Sequence, residues 1–280
     1  KVVEIADAEA LVWADPARAD ELQSVLERGP NLSWVALPFA GIEPYLPAIR
    51  GRPDLVWTCA RDVYSRPVAE HAIGLALAGL RNVIGYSRET SWTGPVGRNL
   101  VDGRVTIFGA GGITTEIILL LQAWNCEITV VRRTDRPVEG AARVLTSTDA
   151  VEAVRGADAV ILALSMTDET RSIINRDVLN AMSPHAWLIN VARGGVVDTE
   201  ALVHALLEGS IGGAALDVTD PEPLPEDHLL WRLPNVVITP HVANTPEMGI
   251  PLLADFIRSN VERWVAGGVV AGVVDPKAGY

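Results

Sequence analysis

Three short segments late in the chain set polar side chains directly after apolar runs of strand length. Arg193 follows Trp187–Asn190, Asp217 and Glu222 follow Gly213 onward, and His241 closes Val236–Thr239. Ligands of open α/β sheets bind beyond the carboxyl ends of the strands, so these side chains are the first candidates for chemistry. Arg193, ahead of Gly194 and Gly195, is a guanidinium able to grip a carboxylate at two points and polarise a neighbouring carbonyl. Glu222 stands between Pro221 and Pro223, so its backbone is held stiffly. His241 is of the residue type that moves protons near neutral pH, and a carboxylate beside it would orient the ring. Taken singly, each has an ordinary explanation: an arginine in a turn, an acidic proline-rich loop in water, one histidine among five. The other four read as structural or solvated, with His71 packed or capping on a long apolar helix, His185 and His228 in loops and His204 on a helix.

The element that must position these groups is Val105 to Arg133, which reads as strand, glycine turn, helix, strand. Val105–Phe108 is apolar, Gly109-Ala110-Gly111-Gly112 forms the turn, and Ile113, Ile117, Ile118, Leu121 and Trp124 recur at helical spacing before the strand Glu127–Val131. Such a unit aims backbone N–H groups and a helix N-terminus at a pyrophosphate. The third glycine of the usual pattern is Thr114 here. Where an acidic residue ordinarily binds the ribose 2′-hydroxyl of NAD, the chain has Arg132, then Arg133 and Thr134. A guanidinium clamps a 2′-phosphate that a carboxylate would repel, so the residues favour NADP(H), with NAD(H) still possible. A dinucleotide cradle together with an acid/base histidine, a carboxylate partner and an acid-gripping arginine suits hydride transfer. A nicotinamide would exchange hydride with a carbon while a base takes or gives the hydroxyl proton.

The rest of the chain supplies a sheet for these groups. Strands are expected at Ala10–Trp13, Trp34–Leu37, Leu55–Cys59, Ala159–Leu164, Trp187–Asn190, Gly213–Val218 and Val236–Thr239. Helices are expected at Pro16–Arg28, Pro67–Val83, Asn175–Ala181, Asp198–Leu207 and Thr245–Val265, with an irregular connection from Ser87 to Asp102. Alternation of this kind describes an α/β protein with a doubly wound parallel sheet of Rossmann type. The 280 residues, 49% hydrophobic, suffice for one large core or two smaller ones. A net charge of −12 argues against a nucleic-acid partner or a basic membrane-binding patch. No apolar run reaches membrane-spanning length, and no signal peptide opens the chain, whose first residue is lysine, so a processed or trimmed start is expected. Cys59 and Cys126 lie far apart and away from clustered histidines. Neither a disulfide framework nor a metal site is expected, and a reducing cytoplasm is the natural compartment.

The segments VAEHAIGLALAGLRN (68–82), GAGGIT (109–114), LINVARGGVVDTEAL (188–202), GAALDVTDPEPLP (213–225) and NVVITPHVANT (235–245) together resemble the D-isomer-specific 2-hydroxyacid dehydrogenase family. The likeness covers almost all of the chain beyond about residue 35. It implies a cofactor domain over 67–245 and a smaller flavodoxin-like substrate domain made of 1–66 and 246–280. Carried over residue by residue, it makes His241 the acid/base, Glu222 its partner, and Arg193 the group on the substrate carboxylate and C2 oxygen. It puts backbone N–H groups of Ala40 and Gly41 on the substrate carboxylate and Asp217 beside the nicotinamide carboxamide. Gly112, Ile113, Val191 and Ala192 fall near the cofactor. It also implies a homodimer and a small 2-keto or 2-hydroxy acid as substrate, and Arg132 resembles the NADP-preferring glyoxylate and hydroxypyruvate reductases. Thr114 and Ser165, the latter where proline is common, depart from the family pattern without removing a catalytic group. The N-terminal region is shorter than usual, so part of the substrate domain is expected to be reduced. Two rival readings are a dinucleotide-sensing corepressor and a formate or phosphite dehydrogenase relative. No peptide-docking extension supports the first, and formate enzymes carry glutamine where this chain has Glu222.

Overall fold

A computed structural model describes residues 2–275; Lys1 and residues 276–280, both parts of the expected substrate domain, lie outside the described residues. In chain order the first elements are β1 (Ala10–Val12), α1 (Leu22–Leu26), β2 (Trp34–Ala36), α2 (Leu46–Gly51) and β3 (Val56–Thr58). Then come α3 (Ser65–Leu80), α4 (Val83–Arg88), β4 (Arg104–Phe108), α5 (Gly112–Leu121), β5 (Glu127–Arg132) and β6 (Arg143–Thr146). The chain continues through α6 (Ala150–Ala153), β7 (Ala159–Leu162), α7 (Arg176–Ala181), β8 (Trp187–Asn190), α8 (Thr199–Glu208), β9 (Gly213–Leu216), β10 (Val236–Ile238) and α9 (Pro246–Val265). It divides into two compact units, Ser65–Asn244 and the remainder, Lys1–Tyr64 with Thr245–Tyr280.

The unit made from the two chain ends holds a three-stranded parallel sheet in the order β1-β2-β3. Side chains alternate across its faces, as strand geometry requires. Val35, Leu37, Trp57 and Cys59 pack with Leu22, Leu26, Ile42 and Ile49 on one face, and Trp34 and Ala36 pack with Val270 and Trp264 on the other. The indoles of Trp34 and Trp264 lie 5.5 Å apart, and the Trp34 N–H donates to the buried Thr58 hydroxyl at 2.9 Å. The helix expected over 16–28 is a 3₁₀ turn, Pro16–Glu21, followed by α1, because Arg18 leaves helical angles (φ −113, ψ 31).

The larger unit is a seven-stranded parallel sheet in the order β10-β9-β8-β7-β4-β5-β6. From β4 the chain moves outward to β6, returns to β7 on the other side of β4, and continues outward to β10. The order therefore reverses between β4 and β7, the switch point where such sheets open a crevice. Helices cover both faces, so the central strands read as unbroken apolar runs. Val105, Ile107, Ile161 and Ile189 pack against α3 and α5, while Phe108, Val160, Leu162 and Leu188 pack on the side of α6, α7 and α8. The long helix expected to reach Val83 stops at Leu80; Asn82 takes a left-handed conformation (φ 51) that asparagine tolerates, and the chain restarts as α4. β6 escaped the sequence reading because it is an edge strand with no fully buried residue, so its pattern carries little hydrophobic signal.

Candidate active site

The glycine turn leaves β4 at the switch point. Gly109 has φ +112, and a Cβ there would collide with the carbonyl oxygen of Ala163 just past β7, so only glycine fits. Gly111 is the N-cap of the ten-residue α5, and a Cβ on it would meet nothing within 4 Å. The space at the positive end of the helix dipole is thus kept open by a missing side chain. Thr114 is fully buried, and its hydroxyl donates to the Gly109 carbonyl at 3.0 Å. The third-glycine position has therefore exchanged close packing for a hydrogen bond that ties helix to turn. Ile113 is half-buried against the α3–α5 core. At the tip of β5, Arg132 donates to the Arg136 carbonyl at 3.4 Å, and Arg133 is exposed.

The loops after β8, β9 and β10 are bound to one another. Asn190, 1% exposed, accepts from the Ala192 N–H and donates to the Arg193 carbonyl, each at 3.0 Å, which shapes the turn bearing Arg193. The Arg193 guanidinium donates to the Ala192 carbonyl at 2.8 Å. Val191 and Ala192 are buried. A Cβ on Gly194 would collide with the Thr219 carbonyl, so this glycine lets the Arg193 turn lie against the loop that leads to Glu222. The β8 and β9 ends are also joined by the Asp217 N–H, which donates to the Asn190 carbonyl at 2.9 Å.

Glu222 and His241 meet: Oε1 lies 2.7 Å from Nδ1, and the Thr219 N–H donates to Oε2 at 3.4 Å. A carboxylate only accepts, so Nδ1 carries the hydrogen and Nε2 is left to take or give a proton. Both side chains are about half exposed (42% and 52%), which leaves Nε2 reachable. His241 has φ +53, a conformation that costs a non-glycine residue about 1 kcal/mol. Its N–H is held by the Asp217 and Thr239 carbonyls at 2.8 and 3.0 Å.

Asp217 fastens that turn. Its Oδ1 accepts from the Thr239 hydroxyl at 2.6 Å and the Val242 N–H at 2.9 Å, and its Oδ2 from the Ala243 N–H at 3.0 Å. Burial alone would push this carboxyl up, but the bonds from His71, Thr239, Val242 and Ala243 outweigh it and hold it at about 2. Sequence reasoning missed Thr239, Asn190 and His71. For the first two a signal existed, a polar residue at the carboxyl end of a buried strand. The cluster as a whole depends on contacts between distant segments.

In the smaller unit, Ala40 and Gly41 belong to the loop after β2. The Tyr64 hydroxyl donates to the Pro38 carbonyl at 2.7 Å, the Ala60 N–H to the Phe39 carbonyl at 3.3 Å, and the Phe39 and Tyr64 rings lie 6.1 Å apart. Burial pushes the Tyr64 hydroxyl up to about 12, so it remains a donor.

The open turn at Gly111 suits a bound pyrophosphate. Asn244 Oδ1 is buried without a hydrogen-bond partner, an acceptor for a ligand N–H. The residues therefore fit a dinucleotide that carries an amide. Among the described residues no group of three or more His, Cys, Asp or Glu is placed to hold a metal ion, and no helix is long and apolar enough to cross a membrane.

Comparison with known proteins points the same way. The signature of the D-isomer specific 2-hydroxyacid dehydrogenase NAD binding domain matches residues 73–243. An uncharacterized protein from the proB 3′ region of Corynebacterium melassecola is 40% identical over 256 residues, 89% of this chain and 84% of that protein. A glyoxylate reductase of Pyrococcus furiosus is 31% identical over 283 residues, 97% of this chain and 83% of that one. A D-isomer specific 2-hydroxyacid dehydrogenase from Xanthobacter autotrophicus Py2, solved with NADPH and MES, superposes with a TM-score of 0.83 at 30% identity, over 100% of this chain and 87% of that one.

Proposed function

The chain belongs to the D-isomer-specific 2-hydroxyacid dehydrogenase family, and from that premise we propose that it is an NADPH-preferring reductase of small 2-keto acids with Arg193, Glu222 and His241 as its catalytic set. It is an NAD(P)-dependent oxidoreductase that interconverts 2-keto and D-2-hydroxy acids, and the finer reading is glyoxylate or hydroxypyruvate reduction. The observation that carries the catalytic assignment is the 2.7 Å contact between His241 and Glu222 at neighbouring strand ends.

The nicotinamide cofactor supplies or accepts the hydride. Gly109, Gly111, Gly112 and Ile113 are assigned to the pyrophosphate turn, Arg132 and Arg133 to the 2′-phosphate, and Val191, Ala192 and Asp217 to the nicotinamide end. During reduction, Nε2 of His241 gives its proton to the C2 oxygen, and Glu222 at Nδ1 keeps the ring oriented for that transfer. Arg193 binds the carboxylate and stabilises negative charge developing on that oxygen. In the smaller unit, the N–H groups of Ala40 and Gly41 are the proposed backbone donors to the carboxylate, which the pinned 38–41 loop supports. Unit Ser65–Asn244 is then the cofactor domain and the other unit the substrate domain.

Arg132 at the tip of β5, where a carboxylate would select NAD, supports the NADPH preference. Exposed apolar residues Leu119 and Leu120 on α5, with Val83, Trp92 and Val96, support a homodimer. Two free thiols, Cys59 and Cys126, fit a reducing cytoplasm. The deciding experiment follows NADPH and NADH oxidation with glyoxylate, hydroxypyruvate, pyruvate and bulkier 2-keto acids. Turnover is expected with the small acids and NADPH, and no turnover with any acid and either coenzyme would overturn the reading.

A further inference from the structure

His71 belongs to α3 and takes no part in the proton transfer above, yet its ring reaches the base of the turn that carries His241. Its Nε2 lies 3.1 Å from the Thr239 hydroxyl oxygen and 3.3 Å from Asp217 Oδ1. The hydrogens in this triangle can be placed by chemistry alone. Asp217 is buried and ionised, so it only accepts. Thr239 has one hydrogen, and the 2.6 Å contact directs it to Asp217. The Thr239 oxygen is then an acceptor on its other side, so Nε2 of His71 must carry a hydrogen and donate. A leucine or phenylalanine would fit the apolar surroundings of α3 but could not donate. Glutamine, whose amide nitrogen reaches about as far as Nε2, could.

Thr239 lies two residues before His241, and the carboxylate that accepts from Thr239 also accepts from Val242 and Ala243 just after it. A donor arriving from α3 orients the Thr239 hydroxyl and offsets part of the charge of Asp217. The turn is thereby held from a helix 168 residues away in sequence. We propose that His71 is a positioning residue, which holds the Thr239–Asp217 pair and through it keeps the His241 imidazole placed for proton transfer; the catalytic part of this role rests on the reading of His241 given above.

The test compares wild type, His71→Leu and His71→Gln as full-length chains in two measurements. Amide hydrogen exchange is the first: His71→Leu is expected to lower protection of the Val242 and Ala243 amides about tenfold, with β4 and β5 amides unchanged and His71→Gln close to wild type. Equal protection of Val242 and Ala243 in His71→Leu and wild type would overturn the proposal. So would a uniform loss across the chain, which marks a purely structural role. The second is kinetic: kcat for a 2-keto acid is expected to fall about tenfold in His71→Leu, to recover in His71→Gln, and to fall no further when His71→Leu is added to Thr239→Val, with KM within about twofold. An unchanged kcat would also overturn it. The exchange measurement needs no turnover, so a wild type that reduced no 2-keto acid would defeat the enzymatic reading while exchange still decided the role of His71.

Discussion

The two halves of the crevice in the larger unit are built on different principles. The half at β4, α5 and β5 is made of backbone: a left-handed glycine, a bare N-cap and a helix end, all within one stretch of about 30 residues. The half beyond β8, β9 and β10 is made of side chains from three loops, joined where the Asn190 carbonyl accepts from the Asp217 N–H, the Asp217 carboxylate from Thr239, and Glu222 from His241. A backbone site needs only correct local angles and tolerates a change such as Thr114. A side-chain site needs its loops brought together first, and losing one partner strands the others. Substitutions in the second half should therefore cost more than those in the first.

The largest expected effect is at His241. His241→Ala should lower kcat about a thousandfold while circular dichroism and the melting temperature stay near wild type. A loss below tenfold would remove His241 from the mechanism and with it the contrast between the halves. Next is the pH dependence of Asp217. Its carboxyl is held at about 2 against an ordinary 3.8, so its contribution to stability is full above the ordinary value and is lost as pH falls from there through about 2. Denaturant unfolding should show Asp217→Asn less stable than wild type by about 2 kcal/mol at pH 5, with the gap closing towards pH 2. A gap independent of pH would mean that the network does not stabilise the ionised form.

The backbone half should respond more mildly. Arg132→Asp should shift the ratio of kcat/KM for NADPH over NADH about tenfold towards NADH without abolishing turnover. A wild type that prefers NADH would end the phosphate-clamp argument. The smallest effect is at Thr114. Thr114→Val removes the bond to the Gly109 carbonyl and should cost about 1 kcal/mol by denaturant unfolding, whereas Thr114→Ser should cost less. If Thr114→Val cost nothing, the hydroxyl would not be what ties turn to helix.

Much of this protein is fixed by residues that are neighbours along the chain. The need for glycine at Gly109, the helical spacing from Ile113, the apolar strands and the polar residues ending them are set by local sterics and by periodicity. The doubly wound class was legible on that basis, and so was the standing of Arg193, Glu222 and His241 as candidates. The edge strand β6 was not, since a strand with one neighbour buries too little to show a pattern. Nor was the break at Asn82, where a left-handed residue interrupts an otherwise helical run. Packing of distant segments is what brings Glu222 to Nδ1 of His241, lays Gly194 against Thr219, and gathers donors from Thr239, Val242 and Ala243 on Asp217. His71 shows the difference most plainly: on its own helix it is one polar residue among apolar ones, and its donor function exists because α3 packs beneath β8 and β9. Hydrogen-bond partners depend on which loops the sheet order makes adjacent, and that order is a property of the whole fold.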